Sequence, residues 1–293
     1  FFQAEHGIRD AQESRGLGDV YKRQAGAKLL YANEASGSTF DFEESRVQSA
    51  ILRLIYVYLG LSACCTIGYR FAGMSWFDAV CHMFTTVATG GFSTRTESIA
   101  AFDSASVEII GIVFMILGAI SFPIILATLN GRFRRISTNT EFKAFVVILL
   151  ASSAIVSLNI AIEAPGDNVV DTVRSSIFQT VSVLTTTGFA TEDFALWPSL
   201  PQAILVVLMI IGGCSGSTAG GIKINRLVVA LRLCVMYIER SFRSRVVRQI
   251  RINNRTLSDA ATQEIGMYLI LTSAIFFLSV QVASAFEIGT DMG

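Results

Sequence analysis

Residues 265–286 run for 22 positions without one charged side chain. About 20 consecutive apolar residues is the length an α-helix needs to cross the hydrocarbon core of a bilayer. Residues 109–129 and 144–162 form two more such stretches, about 21 and 19 residues long, and residues 54–68 form a fourth between Arg53 and Arg70, whose long side chains can reach outward from its ends. One buried core cannot absorb so many. The composition agrees: 52% of residues are hydrophobic and 16% charged, against about 25% charged in a typical soluble domain. The chain is therefore expected to be an all-α, polytopic membrane protein.

Three further apolar segments are not full spans. Residues 76–88 and 172–185 are too short, and residues 203–211 stop at a Gly-rich run before apolar character resumes at 227–238. A half-length apolar segment followed by Gly-rich chain predicts a re-entrant loop, because irregular backbone at membrane depth survives only inside protein or along a water-filled space. The pattern helix, half-helix, loop, helix occurs twice. Residues 81–94 (CHMFTTVATGGFST) lie over residues 178–191 (FQTVSVLTTTGFAT) at a constant offset of 97, with Thr89 on Thr186 and Gly91 on Gly188. This is an internal repeat.

Charge is segregated although the net charge is zero. Residues 131–143 carry Arg132, Arg134, Arg135 and Lys143 against Glu141, and residues 223–264 carry nine basic residues against three acidic ones. The other connections are acidic, with Glu97, Asp103, Glu108, Glu163 and Asp167 among them. The positive-inside rule makes the basic side cytoplasmic, so both half-helices enter from outside and both Gly turns face outward. Trp76, Trp197 and Tyr69 are expected at the outer interface.

The turns carry chemistry suited to a dehydrated monovalent cation. Such an ion needs several oxygen dipoles at once rather than fixed charge, so that it can also leave. Extended backbone with Gly at demanding dihedrals supplies inward carbonyls, and the half-helix before each turn points its partly negative end at the membrane centre. Thr89, Gly90 and Gly91 in one turn, and Thr186, Thr187 and Gly188 in the other, are the candidate ion-binding residues. Below them, Gly212, Gly213, Gly216, Ser217, Gly220 and Gly221 break an apolar span, with Lys223 at the inner end. Five glycines in ten residues disfavour a helix by about 1 kcal/mol each, which predicts a pore-lining constriction. A phosphate-binding loop is a poor match, because Ile222 and Lys223 follow Gly221 where Lys-Ser/Thr is required. The two histidines, His6 and His82, and the five cysteines have no metal-ligand spacing, so no cofactor is expected beyond the transported K⁺.

Residues 87–104 (VATGGFSTRTESIAAFDS), 180–198 (TVSVLTTTGFATEDFALWP) and 211–227 (IGGCSGSTAGGIKINRL) resemble the TrkH potassium-uptake proteins of the Trk/Ktr/HKT superfamily. The resemblance covers residues 25–293. It implies K⁺ uptake through a filter formed by four pore repeats, of which this chain holds the second, the third and the first helix of the fourth. It makes the Gly-rich run an intramembrane gating loop. The family often has an aliphatic residue at the position of Thr89 and a small one at that of Thr187; both departures keep the carbonyl role. The resemblance further implies a multi-pass protein of the bacterial inner membrane, a homodimer, and a cytosolic nucleotide-binding regulator (TrkA-like) docking on the basic face around Arg240–Arg255, where anionic lipid is another option. No nucleic acid is expected as a partner. The alternatives are a Na⁺-selective or Na⁺/K⁺-coupled relative, a membrane enzyme acting on a lipid phosphate, for which His82 stands alone, and a purely structural membrane subunit.

The expected organisation is a non-native or disordered tail (1–24), a cytoplasmic connection (25–50), a pore repeat (51–131), a second pore repeat (141–238) with its gating loop (212–221), a basic cytoplasmic connection (239–264) and the first helix of a truncated further repeat (265–293).

Overall fold

The computed structural model describes residues 47–163, 169–242, 251–252, 255–257 and 259–290. The tail expected at 1–24 lies outside these residues, as do most of the 25–50 connection and the centre of the basic one. Helix α1 (Val47–Phe71) is followed by the half-length α2 (Trp76–Val87), then α3 (Ala105–Ala119), α4 (Phe122–Leu129) and the short α5 (Arg134–Thr138). The same order returns with α6 (Thr140–Glu163), the half-length α7 (Val169–Leu184), α8 (Ser199–Ile210) and α9 (Ile224–Phe242). A two-residue antiparallel ladder, β1 (Arg251–Ile252) with β2 (Arg255–Thr256), precedes α10 (Asp259–Thr290). At 1.5 Å per residue, α1 and α6 are about 36–38 Å long whereas α2 is about 18 Å, so only the former can span the roughly 30 Å apolar core. Residues Ile51–Phe71, Thr140–Glu163 and Thr262–Val282 are apolar and long enough to cross a membrane.

The outside of this bundle is apolar. Ile55, Tyr56 and Leu59 on α1, Val147 and Leu150 on α6, and Ile270, Leu271 and Phe277 on α10 are all exposed. The inside holds the half-helices. Met83, Val87, Phe178, Val181 and Leu184 are buried with Tyr69, Met115, Phe145 and Phe189. An apolar surface around these half-helices is the arrangement expected of helices solvated by lipid.

Two expectations need correction. Residues 109–129 are not one straight span: α3 and α4 meet at 101°. Ile120 and Ser121 leave the helical region (ψ 145° and 119°), and Pro123 is the second residue of the next helix. Proline has no N–H to continue α3, and its fixed φ suits a first turn. Hydropathy sums over such a break without registering it. Nor does Tyr69 mark the outer interface. It is fully buried, and its Oη lies 2.8 Å from Thr86 Oγ1. The Thr86 proton is already given to the His82 carbonyl at 2.6 Å, so Tyr69 is the donor. The close approach of α3 at Gly111, where an added Cβ would sit 3.3 Å from the phenol oxygen, makes room for the ring. Trp76, by contrast, is exposed, with the Arg70 guanidinium 5.6 Å from its ring centroid.

The Tyr69→Phe variant should lose about 1 kcal/mol of stability, because Thr86 keeps its bond to His82. In detergent this corresponds to a fall in Tm of roughly 2–4 °C. An unchanged thermal midpoint would show that the hydroxyl contributes nothing to holding the half-helix.

Candidate functional site

The two turns repeat bond for bond. After α2, the Gly90 N–H donates to Thr85 O at 2.7 Å and Thr89 N–H to Thr86 O at 3.2 Å; after α7, Thr187 N–H donates to Ser182 O at 2.9 Å and Thr186 N–H to Val183 O at 2.9 Å. These nested bonds are a Schellman helix end. A further N–H joins each: Gly91 to Thr85 O at 3.3 Å and Gly188 to Ser182 O at 3.2 Å. Left-handed backbone recurs at the same places, with φ of 52° at Thr89 and 57° at Thr186, then 69° at Gly91 and 84° at Gly188.

This pattern fixes where the carbonyls point. In a trans peptide the N–H and the preceding C=O lie on opposite sides. The N–H groups of Gly90, Gly91, Thr187 and Gly188 all turn back onto a helix end. The carbonyls of Thr89, Gly90, Thr186 and Thr187 therefore point away from it. Among the described residues, none of these four oxygens, nor those of Gly91 and Gly188, accepts a hydrogen bond. Thr89 and Thr187 are buried, Gly91 and Thr186 half-buried, and Gly90 and Gly188 exposed; backbone oxygens without a protein partner at membrane depth are costly unless water or an ion solvates them.

The turns also touch. A Cβ built on Gly91 would lie 1.9 Å from Thr187 O and 3.2 Å from the Gly188 carbonyl carbon. Only glycine allows this approach. The chain after the second turn docks on the first repeat, where Ala190 N–H donates to Ser98 Oγ at 3.2 Å and Ala190 O accepts from Ala100 N–H at 3.3 Å. Outside the first turn, Asp78 collects the Thr94 hydroxyl at 2.6 Å, the Ser75 hydroxyl at 2.9 Å and the Arg95 guanidinium at 2.9 Å. Those bonds, led by Thr94 and Ser75, hold its carboxyl down to about 2. His82 bridges helix and turn, with Nδ1 2.8 Å from Asp78 O and Nε2 2.9 Å from Ser93 Oγ.

The Gly-rich run folds as a closed loop. Its stems meet in a parallel bridge between Ile211 and Ile222, and Gly212 lies so close to the other limb that a Cβ there would meet Gly220 O at 1.8 Å. Gly213 is pressed between Ala219 and the Ala119 carbonyl, and Gly221 abuts Gly212. The loop fills the break between α3 and α4: Cys214 N–H donates to Ala119 O at 2.9 Å, Thr218 N–H to Gly118 O at 3.2 Å, and Gly216 O accepts from Phe122 N–H at 3.0 Å. Ser217 Oγ donates to Cys214 O at 2.5 Å. The loop reaches both turns as well. Thr218 Oγ1 donates to Val87 O at 2.8 Å, and Gly220 N–H donates to Thr186 Oγ1 at 2.7 Å. Lys223 bends back to donate its Nζ to Ala219 O. The Arg226 guanidinium lies 3.7 Å from the centroid of the Tyr268 ring on α10.

Sequence reasoning missed one residue here. Glu141, read only as a stray acid in a basic connection, is 4% exposed and accepts the Ser215 N–H at 2.5 Å and the Asn225 N–H at 3.3 Å. Its signal was its isolation: one carboxylate at the head of a helix with no other acid up to Glu163.

Residues 24–288 match the TrkH family, described as cation transport protein. The chain is 32% identical over 255 residues to the Trk system potassium uptake protein TrkH of Halomonas elongata, across 86% of this chain and 53% of that protein. It is 30% identical over 257 residues to the protein of the same name from Salmonella typhimurium, across 87% of this chain and 53% of that one. The crystal structure of the potassium transporter TrkH from Vibrio parahaemolyticus superposes with a TM-score of 0.78 at 28% identity, covering 86% of this chain and 55% of that chain. The chain thus spans about half the length of the curated relatives it matches.

The two turn glycines should differ under substitution. Gly188→Ala meets no atom within 4 Å and should cost only the left-handed strain, about 1–2 kcal/mol. Gly91→Ala must also push the two turns apart, so its loss should be clearly the larger. Thermal unfolding of the two purified variants side by side checks this, and equal losses would mean that the turns do not meet.

Proposed function

Because the chain belongs to the TrkH family of cation transport proteins, we propose that it forms part of a K⁺ uptake pathway. Thr89, Gly90 and Gly91 with Thr186, Thr187 and Gly188 give backbone oxygen to a dehydrated K⁺, and the loop holding Gly212, Gly213, Gly216, Ser217, Gly220, Gly221 and Lys223 gates the path beneath them. One observation carries this reading: two touching turns whose N–H groups fold back on their own helices, leaving carbonyls with no partner among the described residues. An entering cation supplies the missing partner. Dipoles rather than carboxylates do the work, so the ion is held firmly enough to shed water and loosely enough to move on. The names of the similar proteins, potassium uptake proteins, support K⁺ as the ion.

Two turns make half of a ring, and further repeats of the same kind complete it. The departure from symmetry between the two repeats supports this. Phe189 is fully buried beside His82, their ring centroids 6.0 Å apart, whereas its counterpart Phe92 is 78% exposed. Phe92 has the place of a side chain that packs on a neighbouring repeat. The division into a pore repeat at 51–131, a second at 141–238 and the start of another at 265–293 follows from this reading. The complete protein is then a multi-pass transporter of the bacterial inner membrane rather than an enzyme. It works as a homodimer, and its basic cytoplasmic connection at 239–264 receives a nucleotide-binding regulator.

Substituting Gly188→Ser in the complete transporter should lower the K⁺ over Na⁺ permeability ratio by roughly tenfold, about 1.4 kcal/mol, since a residue strained at positive φ redirects the adjacent carbonyl. Reversal potentials in mixed salt measure the ratio, and an unaltered value would remove these residues from the filter. Deletion of residues 215–219 should raise basal K⁺ leak into proteoliposomes. A folded deletion variant with flux at or below the wild-type level would take the gating role away from the loop.

A further inference from the structure

We infer that Glu141 is the positioning residue that holds the Gly-rich loop closed; this rests on the gating role proposed for that loop. The carboxylate belongs to neither the turns nor the loop. It stands in the first turn of α6 and is buried. A carboxylate removed from water is retained only where strong hydrogen bonds reach it. The two that reach Glu141 come from opposite sides of the loop. Ser215 lies at its tip, and Asn225 lies past its far stem, in the first turn of α9. Both donors are buried, Ser215 at 1% and Asn225 at 4% exposure. One side chain therefore closes the loop across its chord. It also places negative charge at the N-terminus of α9, where the helix dipole favours it.

The loop's other attachments described above join neutral groups: Ala119 O, Gly118 O, Val87 O, Thr186 Oγ1 and the Phe122 N–H. Bonds of this kind between neutral groups are individually weak. The bonds to Glu141 are charge-assisted and roughly twice as strong. If the loop swings away, Ser215 N–H loses its partner and the carboxylate one of its two donors. Glu141 thereby biases the loop toward the closed position. The second turn feels the same bias, since Gly220 of the loop is bonded to Thr186.

Cys214, in the loop and fully buried, is a built-in reporter, and Cys65 on α1, also fully buried, is its control. The experiment uses the complete transporter in proteoliposomes, with either Cys214 or Cys65 as the sole cysteine, and a small thiol reagent. In Glu141→Ala the Cys214 modification rate should rise roughly tenfold or more while that of Cys65 stays at the wild-type level, and basal K⁺ flux should rise with the reversal potential in mixed salt unchanged. Glu141→Gln, which keeps shape and one acceptor oxygen but loses charge, should fall between the two and stands in if the alanine variant does not fold. An unchanged Cys214 rate in both variants overturns the inference. So does equal acceleration at Cys65, which would make Glu141 an ordinary structural group. Failure of the filter reading has a different mark: an unselective wild-type protein, with the thiol readout intact.

Discussion

Backbone N–H and C=O groups that leave a helix inside a membrane have no water to turn to, so each must find a partner in the protein. Among the described residues there are four such departures: the two turns, the break between α3 and α4, and the Gly-rich loop. They are solved together. The break frees the carbonyls of Gly118 and Ala119, and the loop brings N–H groups of Thr218 and Cys214 to them. The loop has a spare N–H at Gly220, and the second turn offers the Thr186 hydroxyl. The first turn has the Val87 carbonyl left over from its helix end, and Thr218 reaches it. Among the oxygens that accept none of these bonds are the carbonyls facing away from both half-helices.

Much of this architecture could be read from the residues. The half-length segments, the offset of 97 and the paired Thr-Gly turns located two loops that the fold brings into contact. Each signal is local: a helix needs a certain number of apolar residues, and a left-handed turn favours glycine. The Gly-rich run was legible for the same reason, and Gly212 and Gly213 sit where two strands of backbone leave no room for a Cβ.

What escaped was set by tertiary partners. The bend at Ile120 was marked only by Pro123, two residues after a Ser within an apolar stretch, and a hydropathy average absorbs both. Tyr69 lies near a helix end like any interfacial aromatic; the residues that bury it, Gly111 and Thr86, are 42 and 17 positions away. Glu141 belongs to a basic connection by sequence and to the loop by space, 74 positions from Ser215. Its ordinary reading, a surface acid among arginines, assumed that a charge near a helix start is solvated. The folded chain satisfies it instead with two buried N–H groups.

The choice of residue at the turn of each half-helix carries the last step. The C-terminal position of a Schellman end is left-handed and usually glycine, because a β-carbon there is strained. Both repeats place a β-branched threonine in it, at Thr89 and Thr186, and hold their glycine two residues later. A left-handed threonine is unfavourable by about 1–2 kcal/mol, and strain of this size persists where the surroundings fix the residue for another purpose. At Thr186 the purpose is visible: its hydroxyl accepts the Gly220 N–H, a bond glycine could not make. At Thr89 the methyl group packs toward Gly118, 3.3 Å from where a Cβ would stand, beside Thr218. Thr186 thus holds the loop, and Thr89 packs on α3 at the point where the loop docks. The second turn is built not from the residue that bends most easily but from one that bends and still holds the Gly-rich loop.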